Sequence, residues 1–319
     1  MGDLDNDGKA EIVVSNNQSS SISIFRNTST RAGSISYAAK VDYGVGTNPI
    51  SVSIGDLNND AKADIAVANS FSVSVLRNIS AGAGDIAYAA KTDFPIGVAP
   101  MSLSMGDCDG DGKEDLVVAN TNDNTLSVLR NTATPLGNIS FATKVDFNTN
   151  SGPWSVSVGD LDGDGKVDLA VTNFDSRNVS VFKNTSMGVG NISYAAKIDY
   201  ATGSLPYSLS IGDLDGDGKP DLAVGNYGSN TISIIRNNPT FNSPPDITGF
   251  TPKSGAIGTS VVITGTSFST TPANNIVMFG ATAATVSAAT STSLTVTVPS
   301  GATYAQISVL NMSTGLLAY

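Results

Sequence analysis

Residues 159–173 read GDLDGDGKVDLAVTN, and near-copies of this stretch begin at Gly2, Gly55, Gly106 and Gly212. The first aspartates of the five copies are Asp3, Asp56, Asp107, Asp160 and Asp213, spaced by 53, 51, 53 and 53 residues. A fixed period of this length is the signature of a repeat architecture. Around the fourth copy, four strand-like runs fill one period: Ser155 to Asp160, Asp168 to Asn173, Val179 to Asn184 and Ile192 to Tyr200. Alternating β-branched residues mark them as strands, and Gly, Asn and Asp clusters separate them. Four strands per period of about 50 residues predict propeller blades. A row of independent hairpins is the simpler alternative.

The spacing D-x-[DN]-x-D-G-x-x-[DE] has a physical reason. Side chains at positions 1, 3 and 5 of a tight loop converge, glycine at position 6 makes the turn, position 7 offers its carbonyl, and position 9 adds a carboxylate. This set of hard oxygen donors suits Ca²⁺ and matches the first part of an EF-hand loop. At position 12, where an EF-hand has glutamate, Val14, Val67, Val118, Val171 and Val224 stand instead, inside the next strand. The expected side-chain ligands are Asp3, Asp5, Asp7 and Glu11 in the first loop, and Asp107, Asp109, Asp111 and Asp115 in the third. They are Asp160, Asp162, Asp164 and Asp168 in the fourth, and Asp213, Asp215, Asp217 and Asp221 in the fifth. The second loop is weaker, with Asp56, Asn58, Asp60 and Asp64, and Ala61 in place of glycine. Carbonyls of Lys9, Lys62, Lys113, Lys166 and Lys219 complete the sets. The competing reading is that these residues only form turns, but converging carboxylates without a cation repel one another.

These loops, with the GDxDGDGxxDLAV pattern and the Pro-x-Ser-Val-Ser-Ile strand before it, resemble the FG-GAP/VCBS repeat family over residues 1–238. The resemblance implies an integrin-α-like calcium-bearing β-propeller in which the ions are structural. Residues 239–245 form a polar, proline-containing linker. From 246 to 319 the chain resembles the IPT/TIG immunoglobulin-like family, carried by Pro252, Ser254, Gly255, Gly258, Val261, Ile263, Gly265, Phe268 and the later TSLTVTVP. Seven short alternating strands there give a sandwich independently. The fold class expected is thus all-β, a partial propeller of about five blades followed by an immunoglobulin-like sandwich. Met1 aligns with Ile54, Met105, Val158 and Ile211 at the end of an innermost strand, so the chain is expected to start inside a blade and to be a fragment or a propeller with missing blades.

Composition agrees with a structured, calcium-loaded protein. Charged residues make up only 14% of the 319, and the formal net charge is −11. Nineteen of the 28 acids sit in the ligand sets, and five bound Ca²⁺ would bring the charge to about −1. The acidity argues against nucleic acid and anionic membranes as partners. No apolar run reaches the length of a membrane span, and no signal peptide is visible in the chain. With no histidine, every histidine-based mechanism and zinc site is excluded, and one cysteine permits no internal disulfide.

A ligand face is also expected. Trp154 aligns with Ile50, Met101 and Tyr207 just before the innermost strand, and the loop between second and third strands adds Phe174, Asp175, Arg177 and Tyr227. Trp154, Phe174, Tyr207 and Tyr227 could form an aromatic platform for a surface glycan or protein, or could simply pack the rim between blades. Cys108 replaces a loop leucine and reads as a core residue. The expectation is an extracellular or cell-surface, non-catalytic binding or adhesion module. The rivals are an ancillary part of a polysaccharide-degrading propeller enzyme and a structural stalk.

Overall fold

A computed structural model describes residues 1–237, 245–303, 306–312 and 316–318. Most of the 239–245 linker therefore lies outside the described residues. The chain separates into two compact units, one made essentially of residues 1–236 and the other of the region after it.

The first unit is five antiparallel sheets in chain order, one per repeat. Blade 2 runs Ser51–Gly55, Asp64–Ala68, Ser72–Leu76 and Thr92–Pro95. Blade 3 runs Pro100–Gly106, Asp115–Asn120, Thr125–Leu129 and Val145–Asn148. Blade 4 runs Pro153–Gly159, Asp168–Asn173, Asn178–Phe182 and Ile198–Ala201. Blade 1 has the last three strands of this pattern, Ile12–Asn16, Ser21–Phe25 and Val41–Gly44. Blade 5 has the first three, Pro206–Gly212, Asp221–Asn226 and Thr231–Ile235. This is an all-β partial propeller.

The hydrophobic cores lie between blades. Leu4, Ile22 and Ile24 of blade 1 pack on Ile65, Val67, Leu76 and Tyr88 of blade 2. Leu57, Val73 and Val75 of blade 2 pack on Leu103, Leu116, Val118 and Leu129 of blade 3. Cys108, Leu126 and Val128 of blade 3 pack on Val156, Leu169, Val171 and Phe182 of blade 4. The second strands of blades 2 to 4, such as Asp115–Asn120, are buried along their whole length because both faces meet a neighbour. That is why they read as continuous apolar runs rather than alternating ones.

The fourth strand departs from the sequence expectation. In blade 4 it spans Ile198–Ala201 rather than starting at Ile192. Tyr194 forms an isolated bridge with Asn184, and regular pairing resumes at Val181 opposite Ile198. Three steps on one side thus face four on the other, a bulge that interrupts the ladder. The bulge aims the Tyr194 ring into the layer between blades, edge-on to Phe147 at 5.1 Å.

The second unit is a sandwich of two four-stranded sheets. One is ordered Asp246–Thr251, Ser260–Thr266, Ser293–Thr297, Val286–Ala289. The other is ordered Thr282–Ala284, Asn275–Phe279, Ile307–Asn311, Leu316–Ala318. Among the described residues eight strands form where seven were expected. Val261, Ile263, Val277, Leu294, Val296 and Val309 fill its core. Gly265 is required there, because a Cβ would lie 1.8 Å from the Asp246 carbonyl oxygen. Among the described residues no helix is long and apolar enough to cross a membrane.

Candidate metal centres and aromatic rim

In blades 2 to 5 the acidic loop joins the innermost strand to the second strand, and in blade 1 it leads into the second strand. The aspartate at position 1 organises the turn. Asp107 accepts from the N–H groups of Gly110 and Asp111 on one oxygen and Gly112 on the other, at 2.8–3.0 Å. The chain bends through two left-handed residues, at positions 4 and 6, with φ of 77° and 80° at Gly110 and Gly112. In the second loop these are Asn59 and Ala61, at 54° and 62°. Alanine pays a steric cost there that glycine does not.

Position 9 is buried and doubly held. Asp115 accepts from the Cys108 N–H at 2.9 Å and from the Asn131 N–H at 2.7 Å. Asp64 does the same with Leu57 and Asn78, and Glu11 with Leu4 and Asn27. Burial pushes the Asp64 and Asp115 carboxyls up to about 7, against the downward pull of these N–H donors and with neighbouring carboxylates adding to the rise. Two carboxylates raised this far are in an environment short of positive charge.

Among the described residues four groups of carboxylates have ligand atoms within 4.8 Å of one another. They are Asp3, Asp5 and Glu11; Asp107, Asp109 and Asp115; Asp160, Asp162 and Asp168; and Asp213, Asp215 and Asp221. The second loop contributes no such group, since Asn58 stands where the others have a carboxylate. Its amide nonetheless points the same way. Asn58 Nδ2 donates to Asp60 and to the Gly137 carbonyl, while Oδ1 is buried without a hydrogen-bond partner. A buried orphan acceptor at a ligand position fits a cation. The donors are all oxygen, which suits a hard divalent ion such as Ca²⁺.

The aspartates at position 5 are not in these groups. Asp7 bonds the Lys9 ammonium at 2.9 Å, which holds its carboxyl below the usual range. Asp111 faces Lys113 at 3.2 Å, and Asp217 faces Arg236 at 3.3 Å. Position 7 is thus seen through its lysine side chain: Lys62 donates instead to the Ser80 carbonyl and Lys166 to that of Ser186.

The loops are also tied to the following blade, through residues the repeat pattern did not single out. Asn78 Nδ2 donates to the Leu4 carbonyl of the preceding loop at 2.8 Å, and Asn131 and Asn184 do the same to Leu57 and Cys108. Position 3 is held from the same side: the Gly84 N–H meets Asp5 at 2.8 Å and the Gly190 N–H meets Asp109 at 2.6 Å. These asparagines recur after the third strand of every blade, which was the available signal. Glu114 was missed as well. Its Oε2 is buried without a hydrogen-bond partner, and burial and Asp56 together raise its carboxyl.

At the opposite ends of the strands, the four expected aromatic residues come together. The Trp154 ring stacks on Phe174 at 5.0 Å and meets Tyr207 of the next blade, also at 5.0 Å. Tyr207 continues to Tyr227 at 6.1 Å. Trp154 and Phe174 are half-buried, whereas Tyr207 and Tyr227 are exposed.

The FG-GAP-like repeat family matches residues 3–67, 107–171, 160–224 and 213–264, segments that contain all five loops and cover most of the chain. The chain belongs to the FG-GAP-like repeat family. This FG-GAP array is followed by an IPT/TIG match at residues 245–316. Repeats and an immunoglobulin-like domain in this order are the make-up of a binding or structural module. No curated protein matches the FG-GAP chain in sequence. Among solved structures, it is similar to BBS1N in complex with ARL6DN, at 11% identity and TM-score 0.47, covering 93% of this chain and 90% of that one. It is similar to a Lactobacillus plantarum protein at 14% identity and TM-score 0.40, covering 91% and 82%. The V. cholerae biofilm matrix protein Bap1 aligns at 13% identity and TM-score 0.41, covering 99% of this chain and 57% of that one.

Proposed function

We propose that this chain is an extracellular, calcium-stabilised binding or adhesion module without catalytic activity, holding about five Ca²⁺ ions. The observation that carries the calcium reading is the doubly bonded position-9 carboxylate. It joins the ion loop to the backbone N–H of Asn131, the asparagine whose side chain grips the preceding blade. An ion neutralising Asp107, Asp109 and Asp115 would fix the loop and the blade interface together. Oxygen donors at positions 1, 3 and 9 would hold it, with position 5 released from its lysine and the position 7 carbonyl completing the shell.

Acids outside the loops support a non-catalytic role. Asp42, Asp93, Asp146 and Asp199 each accept from a serine of the third strand and pair with a lysine two residues earlier. Asp42, Asp93 and Asp199 are held below the usual carboxylate range by these partners. Ionised, paired carboxylates of this kind are poor acids and bases.

The ligand surface we assign is the rim of Trp154, Phe174, Tyr207 and Tyr227, whose exposed tyrosines offer ring faces to a surface glycan or protein. Calorimetric titration of metal-stripped protein should count about five sites, and two or fewer would end the calcium reading. On a glycan array in calcium, Trp154→Ala should lose the signal that the wild type gives while keeping its melting temperature. A loss of several kcal/mol of stability instead would make Trp154 a blade-packing residue.

A further inference from the structure

Blades 1 to 4 each close with a fourth strand of one type. The sequences are Lys40-Val41-Asp42-Tyr43, Lys91-Thr92-Asp93-Phe94, Lys144-Val145-Asp146-Phe147 and Lys197-Ile198-Asp199-Tyr200. Each strand brings the same two contacts. Its aspartate accepts from a third-strand serine, with Ser23, Ser74, Ser127 and Ser180 at 2.5–2.6 Å. Its aromatic residue stands opposite the residue before that serine: Tyr43 opposite Ile22, Phe94 opposite Val73, Phe147 opposite Leu126 and Tyr200 opposite Val179.

Blade 5 keeps the receiving half alone. Among the described residues its third strand, Thr231–Ile235, pairs on one side only, with Asp221–Asn226. Ser233 occupies the serine position. Asn226 Nδ2 at 2.8 Å and the Gly203 N–H at 3.2 Å hold it, as Asn69 and Gly46 hold Ser74. Among the described residues it faces no carboxylate. Ile232 and Ile234 are 72% and 57% exposed, whereas their counterparts in blades 1 to 4, from Ile22 to Val181, are at most 7% exposed. Elsewhere a fourth-strand aromatic and the following blade cover these positions. An open sheet edge with its N–H and C=O groups free is a template for another strand.

We infer that blade 5 binds an extended strand from a partner polypeptide by β-augmentation, and that the strand it selects reads Lys-[Val/Ile/Thr]-Asp-[Tyr/Phe]. The ladder supplies affinity, and the Ser233–aspartate bond and the aromatic ring on Ile232 supply register and specificity. Four copies of the complementary pair inside the same chain define the partner's chemistry.

The probe is a fluorescent peptide copying residues 194–203, YAAKIDYATG, titrated with the full chain in calcium and followed by anisotropy. Saturable one-to-one binding is expected. It should weaken at least tenfold when the peptide aspartate becomes asparagine, and equally with Ser233→Ala in the chain, whose melting temperature should stay that of wild type. Hydrogen exchange should slow within 231–235 on binding. Absence of binding at millimolar peptide, or equal binding of a scrambled peptide, would overturn the inference. So would indifference to both substitutions, or protection appearing at 178–182, where the peptide would be replacing blade 4's own fourth strand.

Discussion

At Ala61 a side chain sits where four other loops have glycine, and its φ of 62° is the cost of that exchange. Moving an L-residue into the left-handed region costs roughly 1–2 kcal/mol. Ala61→Gly should therefore stabilise the protein by about 1 kcal/mol and tighten the second calcium site, both readable by calorimetry. A loss of stability would show that the alanine methyl packs better than its backbone suffers. Cys108, also read correctly from its alignment with the loop leucines, is buried, and burial pushes its thiol up to about 12. It should resist thiol reagents until the protein unfolds. At this scale the sequence was legible wherever a residue type is rare and its position fixed, as with aspartate and glycine at their loop positions. It was opaque for Asn78, Asn131 and Asn184. Asparagine is common in the chain, and the bond that matters in each case reaches a partner 74 to 76 residues away.

Between elements, the loop and the following blade behave as one unit. Asn131 Nδ2 serves two carbonyls, Leu57 and Glu114, and its Oδ1 accepts from the Ala133 N–H. Asn131→Ala would leave these groups buried and unpaired at ~1–3 kcal/mol each before relaxation. A loss of about 3 kcal/mol in denaturant unfolding is expected, and weaker binding at the neighbouring loops should accompany it. A change within 0.5 kcal/mol would mean the tie is incidental. The fifth loop is the most open of the five. Asp213 and Asp215 are exposed, and the Arg236 guanidinium lies against Asp215 and Asp217. It should be the weakest calcium site. Arg236→Gln should strengthen it, because a guanidinium and a calcium ion compete for the same carboxylates. The four-strand period was readable from alternation, but the delayed start of each fourth strand was not. Tyr194 looks like a strand residue in sequence, and only the layer between blades explains its bulge.

For the molecule as a whole, two compact units imply two unfolding events. Chelation should move only the transition of the repeat unit, since the four acidic clusters found among the described residues all belong to the repeats. At calcium ten times Kd each site adds about 1.4 kcal/mol. A scan in excess EDTA that leaves both transitions in place would remove the structural role of the ions. The sandwich should melt as before, on a core of Val261, Ile263, Leu294 and Val309 that involves no carboxylate.

Because the apolar cores found in the repeat unit are each shared by two neighbouring blades, no single repeat among them owns a core. Such an array has nearest-neighbour cooperativity, like links of a chain rather than a sphere. Its ends should fray first, and amide protection should rise from the terminal sheets to a plateau in the middle. Under tension between its termini it should give way link by link, with a series of small force steps instead of one rupture. Calcium concentration would then set the height of each step, making the array a load-bearing strap whose stiffness follows the medium around it.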